Sequence, residues 1–234
     1  MRRMLTLLVV WVAVAQLPQL PTLLPVDEAS SEHDLVKVRD RIIEGAKKRD
    51  SATVLAAASQ NGVLETSELD HSESRRRLQQ ILSDPNQDVW GHLTATLSQG
   101  GAFTRSRGAV EGRREFCAPY MYAAFPQRVP PEVQGERYPW VITKRNVAIH
   151  AQPDASSRIV GRLSYAMIQG HNTLSPDPKD VSIRWQAIDL GVDREAFVRA
   201  NQIWDPEGPH VCFAKENGQW VISAYRTIGL PHRN

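Results

Sequence analysis

The sequence predicts an α+β protein: a small α-helical part, then a small closed sheet of short strands, then a C-terminal β-hairpin. Three observations carry this. Apolar residues recur at helical spacing between Asp34 and Leu97, short β-rich runs alternate with turn residues after Tyr138, and Asn217-Gly218 sits between two strand-like runs. The 15 prolines and 14 glycines are concentrated after Gly100, as turns between strands require. At 234 residues, with 41% hydrophobic and 23% charged side chains, the chain is long enough for two small cores.

Residues 1–15 read as a secretory signal peptide. Arg2 and Arg3 are its positive end, an apolar run follows from Met4 to Val14, and Ala13-Val14-Ala15 supplies the small-x-small cleavage pattern. The rival is an uncleaved anchor, but a span needs about 20 apolar residues, and Pro18, Pro21 and Pro25 interrupt this run. The predicted localisation is periplasmic or secreted, with no stable membrane span after cleavage. Without Arg2 and Arg3 the basic side chains fall from 28 to 26, equal to the 26 acidic ones. No surplus of positive charge remains to displace counterions from nucleic acid, so no nucleic-acid partner is expected.

Residues 16–32 are proline-rich, then acidic and serine-rich, and read as a disordered leader. Residues 33–104 are assigned to the helical domain. Leu35, Val38, Ile42 and Ala46 mark the first helix, with Asp34 placed to cap it. Asp50 caps a second through Val54, Leu55 and Ala58, stopped by Asn61-Gly62. Asp70 and Glu73 form a capping-box pattern before Leu78, Ile81 and Leu82, and Val89, Trp90, Leu93 and Leu97 mark a fourth helix ending at Gly100-Gly101.

Residues 105–137 are expected to connect the two parts. Four arginines between Thr104 and Arg114 stand among glycine and serine with no interleaved aromatic, the composition of a solvated loop rather than a polymer-binding patch. Residues 116–126 are too rich in large apolar side chains for a linker and are expected to bridge the two parts, followed by an extended segment at 127–135. Strand-like runs then fall at 140–142, 147–151, 158–165, 183–190 and 195–198, with residues 172–180 as a loop. The sheet domain spans 138–205. Residues 206–228 hold the hairpin, in which Asn217-Gly218 favours a two-residue turn and Phe213, Trp220 and Ile222 demand a surface to dock on. Cys117 and Cys212 flank the sheet; in an exported chain they are compatible with one disulfide, the alternative being two buried thiols.

The sheet region resembles the bacterial SH3-like (SH3b) domain family. Asn146-Val147-Ala148-Ile149-His150 with Pro153, Val160-Gly161-Arg162-Leu163, Trp185-Gln186-Ala187-Ile188 and Ala196-Phe197-Val198 follow that family's pattern in order and spacing, over less than a third of the chain. His150 and Ala196 stand where the family often has arginine and glycine. The resemblance implies an SH3-like β-barrel in an exported, mostly uncharacterised type of protein, acting as a binding module for peptidoglycan or for an envelope protein or peptide. Tyr165, His150 and Trp204 are then the candidate ligand contacts, near strand ends.

Chemistry for an enzyme is sparse. The seven histidines form no H-E-x-x-H or related metal pair, and no G-x-S-x-G elbow or phosphate loop occurs. Cys117 with His150 or His210 as base is the one imaginable nucleophilic site, and a paired or buried cysteine is the simpler reading. The expectation is therefore no catalytic residue, no metal and no cofactor. An inhibitory or accessory subunit for one envelope protein, and a wall hydrolase with an unrecognised site, are the competing readings.

Overall fold

The computed structural model describes residues 19–60, 71–85, 88–105, 113–124, 139–190, 195–206 and 208–226. The predicted signal with Ala13 and Ala15, the Asn61-Gly62 stop, the Asp70 cap, most of the arginine-rich stretch and the extended segment at 127–135 lie outside these residues. Among the described residues, no helix is long and apolar enough to cross a membrane.

The fold is mixed helix and sheet, with antiparallel strand pairing. α1 (His33–Lys47) buries Leu35, Ile42 and Ala46, the stripe its spacing predicts. Asp34 does not cap it; the residue lies inside the first turn, 3.2 Å from Lys37 Nζ. α2 (Ser51–Ala56) is capped by Asp50, which accepts from the Thr53 amide at 3.2 Å. α3 (His71–Ser83) buries Leu78, Ile81 and Leu82, and its Arg75 donates to the carbonyls of Ala58 and Leu55 at the C-terminal end of α2. In α4 (Val89–Ser98) Asp88 accepts from the Gly91 amide at 3.0 Å.

These helices do not close a core of their own. β1 (Ala102–Arg105) and β2 (Arg114–Ala118) lie in residues expected as helix end and connector, and they join the C-terminal hairpin, β10 (His210–Glu216) and β11 (Gln219–Arg226), in a four-stranded sheet of order β1-β2-β10-β11. Asn217 and Gly218 have φ of 49° and 79°, as the predicted tight turn requires. Phe116, Ala118, Val211, Phe213, Trp220, Ile222 and Tyr225 face the helices and share one apolar cluster with Leu35, Ile42, Leu78 and Leu93. An amphipathic helix must bury its stripe against something, and the aromatic face of this sheet is the partner. On the opposite face Cys117 and Cys212 are directly opposed in the β2–β10 register and form a disulfide, S–S 2.05 Å.

Between β2 and β10 the chain builds a second sheet. α5 (Tyr120–Ala124) leads to β3 (Trp140–Ile142), β4 (Val147–His150), β5 (Ile159–Leu163), β6 (Met167–Pro176), β7 (Arg184–Asp189), β8 (Glu195–Arg199) and β9 (Ile203–Trp204). The order is β5-β4-β8-β7-β6-β3-β9. Two expectations change here. The segment predicted as a loop from residue 172 begins inside β6, whose period-two pattern is broken by Gly170 and by a register irregularity before Leu174. A Cβ at Gly170 would lie 2.5 Å from the Trp140 ring, so the strand needs glycine there. The sheet is also not a closed barrel: β6 pairs with β3 near its start and with β7 further along, and the sheet runs on through β3 to β9 instead of returning to β5.

The leader is ordered from residue 19 rather than disordered. Thr22 bridges Ala166, the Leu23 amide donates to Tyr165 O at 2.8 Å, and the Met167 amide donates to Pro21 O at 2.8 Å. Leu23 and Ala29 are buried, and Asp27 pairs with Arg39 at 2.7 Å. Two isolated anchors produce no period, which is why composition alone reads as disorder. Tyr120 donates to Leu23 O at 3.1 Å, and burial pushes its phenol far above the ordinary value.

Candidate functional site

Period-two alternation sorts the second sheet into two faces. Val147, Ile149, Leu163, Ile188, Ala196 and Val198 pack into its core. The opposite face carries Trp185, Ala187 and Phe197 in a separate small cluster, with His150 edge-on to Trp185 at 4.8 Å. Two loops close over that cluster through Asp177. One carboxylate oxygen accepts from the Ala155 amide at 3.1 Å and the Trp185 indole at 3.0 Å; the other accepts from the amides of Lys179 and Asp180. The Lys179 amide, with those other donors, holds the Asp177 carboxyl below its ordinary value against the opposing effect of burial.

Beside these loops lies an open groove of about 270 Å³, lined by Lys144, Arg145, Arg162, Arg199, His150 and Gln202 among others, with no carboxylate among the described residues of its wall. The turn before β4 supplies Lys144 and Arg145, with Asn146 in the left-handed region at φ 57°. Arg162 stands opposite Ala148 in the β4–β5 register, and its guanidinium donates to Asn146 O at 3.0 Å. Arg199 ends β8, 5.7 Å from the Trp185 ring. Among the described residues none of these four cations makes an ion pair. Acids of the adjoining loops are already engaged: Asp177 as above, Asp154 with Ser156 and Lys179, and Asp180 with Ser182. Hydrogen bonds from Ser156 to Asp154 and from Ser182 to Asp180 lower both carboxyls, so they remain charged and occupied.

Of the three predicted contacts, His150 lines the groove, 8% exposed. Tyr165, half-buried, stands at its margin with the Arg145 guanidinium 6.0 Å from its ring. Trp204 is a core residue instead: it is 5% exposed, among Leu23, Tyr120, Met121, Val141 and Met167, where its indole fills the junction of leader, α5 and sheet. Sequence reasoning did not find Lys144, Arg145, Arg162 and Arg199, which are scattered over more than fifty positions and form no run. The arginine-rich stretch that drew notice is spent elsewhere in its described part, Arg113 on Glu115 and Glu216, Arg114 on Glu32.

The site can hold an anion, and its reactive groups are committed. Ser157 Oγ lies 3.4 Å from His150 Nδ1, but that hydroxyl also donates to Gln152 O at 3.1 Å and accepts from the Gln152 amide at 3.3 Å, pinning the turn. Cys117, imagined above as a nucleophile, is in the disulfide, and His210 stacks on Tyr122 at 3.7 Å. Glu115, Cys117 and Cys212 bring three ligand-type atoms within 4.8 Å of one another, yet the two sulfurs are bonded to each other and are not metal ligands in that state. Compared with family models, curated proteins and solved structures, the chain matches none.

Proposed function

We propose that this chain is an exported, non-enzymatic binding or scaffolding protein of the bacterial envelope, whose second sheet is SH3-like and holds an anionic ligand in the groove beside β4, β5 and β8. The observation that carries the reading is the groove itself: among the described residues, four cations without ion-pair partners stand around an open hollow whose wall holds no carboxylate. Cations left uncompensated on one surface raise the local concentration of anions and speed their encounter. The SH3-like reading is supported by the motif residues Val147, Gly161, Trp185 and Phe197, which lie on β4, β5, β7 and β8 within one sheet. Peptidoglycan, whose stem peptides carry free carboxylates, and an acidic envelope protein or peptide both fit that chemistry. The Cys117–Cys212 disulfide favours an oxidising compartment.

Sedimentation with purified sacculi tests this. Retention that weakens with salt, falls in an R162E/R199E variant and releases no fragments supports a wall-binding module; release of soluble fragments refutes the non-enzymatic reading. Absence of retention directs the search to a protein partner, for which the same variant is the control.

A further inference from the structure

The groove's walls follow from the register of three strands. Arg162 on β5 stands opposite Ala148 on β4. His150 stands opposite Phe197, so the same antiparallel register carried back two residues brings Ala148 level with Arg199 on β8. The row Arg162, Ala148, Arg199 therefore crosses β5, β4 and β8 on the face that bears His150 and Trp185, with the two arginine Cα atoms about 10 Å apart, two strand spacings. A methyl group between two long side chains leaves a hollow, and Ala148 is its floor. Lys144 and Arg145 close a third side from the turn before β4, and His150 bounds the inner end. Arg162 spends one N–H on Asn146 O at 3.0 Å, and among the described residues Arg199 has only its contact with the Trp185 ring. The remaining guanidinium N–H groups are left for a ligand.

Positive groups thus approach one hollow from three directions. A carboxylate has one charge and two oxygens in a plane, enough for two of those directions. A phosphate monoester carries about −1.5 to −2 charges at neutral pH and three acceptor oxygens that point apart. Taking the groove as the anion site proposed above, on which this step rests, we infer that its ligand is a phosphomonoester group seated on Ala148, with one oxygen toward Arg162, one toward Arg199 and one toward the Lys144–Arg145 turn. Arginine forks match phosphate oxygens in pairs, and lysine adds a point charge. The open side of the groove leaves room for the ester substituent. A small soluble phosphate ester and a lipid headgroup ending in phosphate present this same chemistry.

The test titrates the full chain with methyl phosphate, dimethyl phosphate, malonate and acetate at equal ionic strength, following amide NMR shifts at residues 144–150. Methyl phosphate is expected to bind about tenfold or more tightly than acetate or dimethyl phosphate, which carry a single charge, and more tightly than malonate, which spreads two charges over two planar groups. R162E/R199E abolishes that binding. Ala148→Leu keeps every cation, lies outside the apolar core and fills the floor, so it weakens binding about tenfold or more without relying on how the charge reversal folds. Vesicles containing phosphatidate, compared with phosphatidylglycerol, a diester, separate the sources: capture on phosphatidate alone assigns a lipid headgroup, and methyl phosphate binding without capture assigns a soluble ester. Malonate binding as tightly as methyl phosphate, with loss in R162E/R199E, overturns the phosphomonoester and leaves the anion groove intact. Loss in R162E/R199E but not in Ala148→Leu overturns the seat on Ala148. Binding that neither variant weakens overturns the groove reading as well. Failure of every phosphate probe while sacculi are retained overturns the phosphate ligand and leaves the wall as the partner.

Discussion

Replacing both Cys117 and Cys212 with alanine opens a covalent loop whose ends are 95 residues apart and which contains the whole seven-stranded sheet. Alanine suits the site because both residues are buried, 1% and 2% exposed, where a serine hydroxyl would need a partner. The native state keeps the pairing that brings the cysteines together: Val211 with Ala118, Cys212 with Cys117, Phe213 with Phe116. The disulfide therefore acts chiefly on the unfolded chain, which without it gains the freedom of a long open loop. For a closed loop of that length the chain-entropy relation gives about 4–5 kcal/mol, a large share of the roughly 5–15 kcal/mol that stabilises an ordinary domain. The assay is urea denaturation of the oxidised protein and the double variant, followed by far-ultraviolet circular dichroism and tryptophan fluorescence. The expected result is a clearly lower midpoint with native spectra unchanged before the transition. A loss below about 1 kcal/mol refutes the reasoning, because the unfolded ensemble would then hold β2 near β10 without the bond. Free thiols titrated in the native protein refute it more directly.

Three further outcomes follow from particular contacts. Gly101→Ala places a Cβ 2.5 Å from the Cys117 carbonyl and against the Phe116 ring, so the variant loses about 1–3 kcal/mol in the same denaturation assay. Leu23→Ala removes a buried anchor of the leader, costs about 2–5 kcal/mol and makes residues 19–32 the first site of limited proteolysis. Asp177→Asn turns an amide donor toward groups that themselves donate, so it lowers the denaturation midpoint at neutral pH. Because the folded Asp177 carboxyl lies below its unfolded value of about 3.8, its contribution is present above that value and disappears as pH falls through the folded one. The gap between wild type and variant therefore closes in acid; a gap that stays constant with pH contradicts the bonding described for Asp177.

What the sequence discloses here divides along a physical line. A helix stripe, a capping aspartate such as Asp50 and a tight turn such as Asn217-Gly218 are properties of a few consecutive residues, and each was legible. The opposed cysteines were legible as a possibility because there are only two. β2 was not, since Arg114–Ala118 is a strand through pairing with β1 across the arginine-rich stretch and with β10 from nearly a hundred residues away, and neither partner is visible in its own five residues. β6 was hidden by Gly170, which local rules count against a strand and which the Trp140 ring in fact requires. The leader depends on Leu23 finding Tyr120, Met121 and Trp204, again a matter of distant residues meeting.

The groove shows the same limit in charge rather than in shape. A chain with 28 basic and 26 acidic side chains is close to electrically balanced, yet balance over the whole says nothing about balance on one face. The acids of this protein are drawn into local work: Asp50 and Asp88 cap helices, Glu32 and Asp27 tie the leader to Arg114, Lys215 and Arg39, Glu115 and Glu216 hold Arg113, and Asp154, Asp177 and Asp180 organise loops. The caps and loop contacts favour a carboxylate over a cation, because backbone amides at helix starts and turns are donors, and the ion pairs consume further acids. The cations on and around β4, β5 and β8 are then left without acids to meet. A neutral sequence can in this way fold into a protein with a cationic face, and the face is located by asking where the carboxylates have gone.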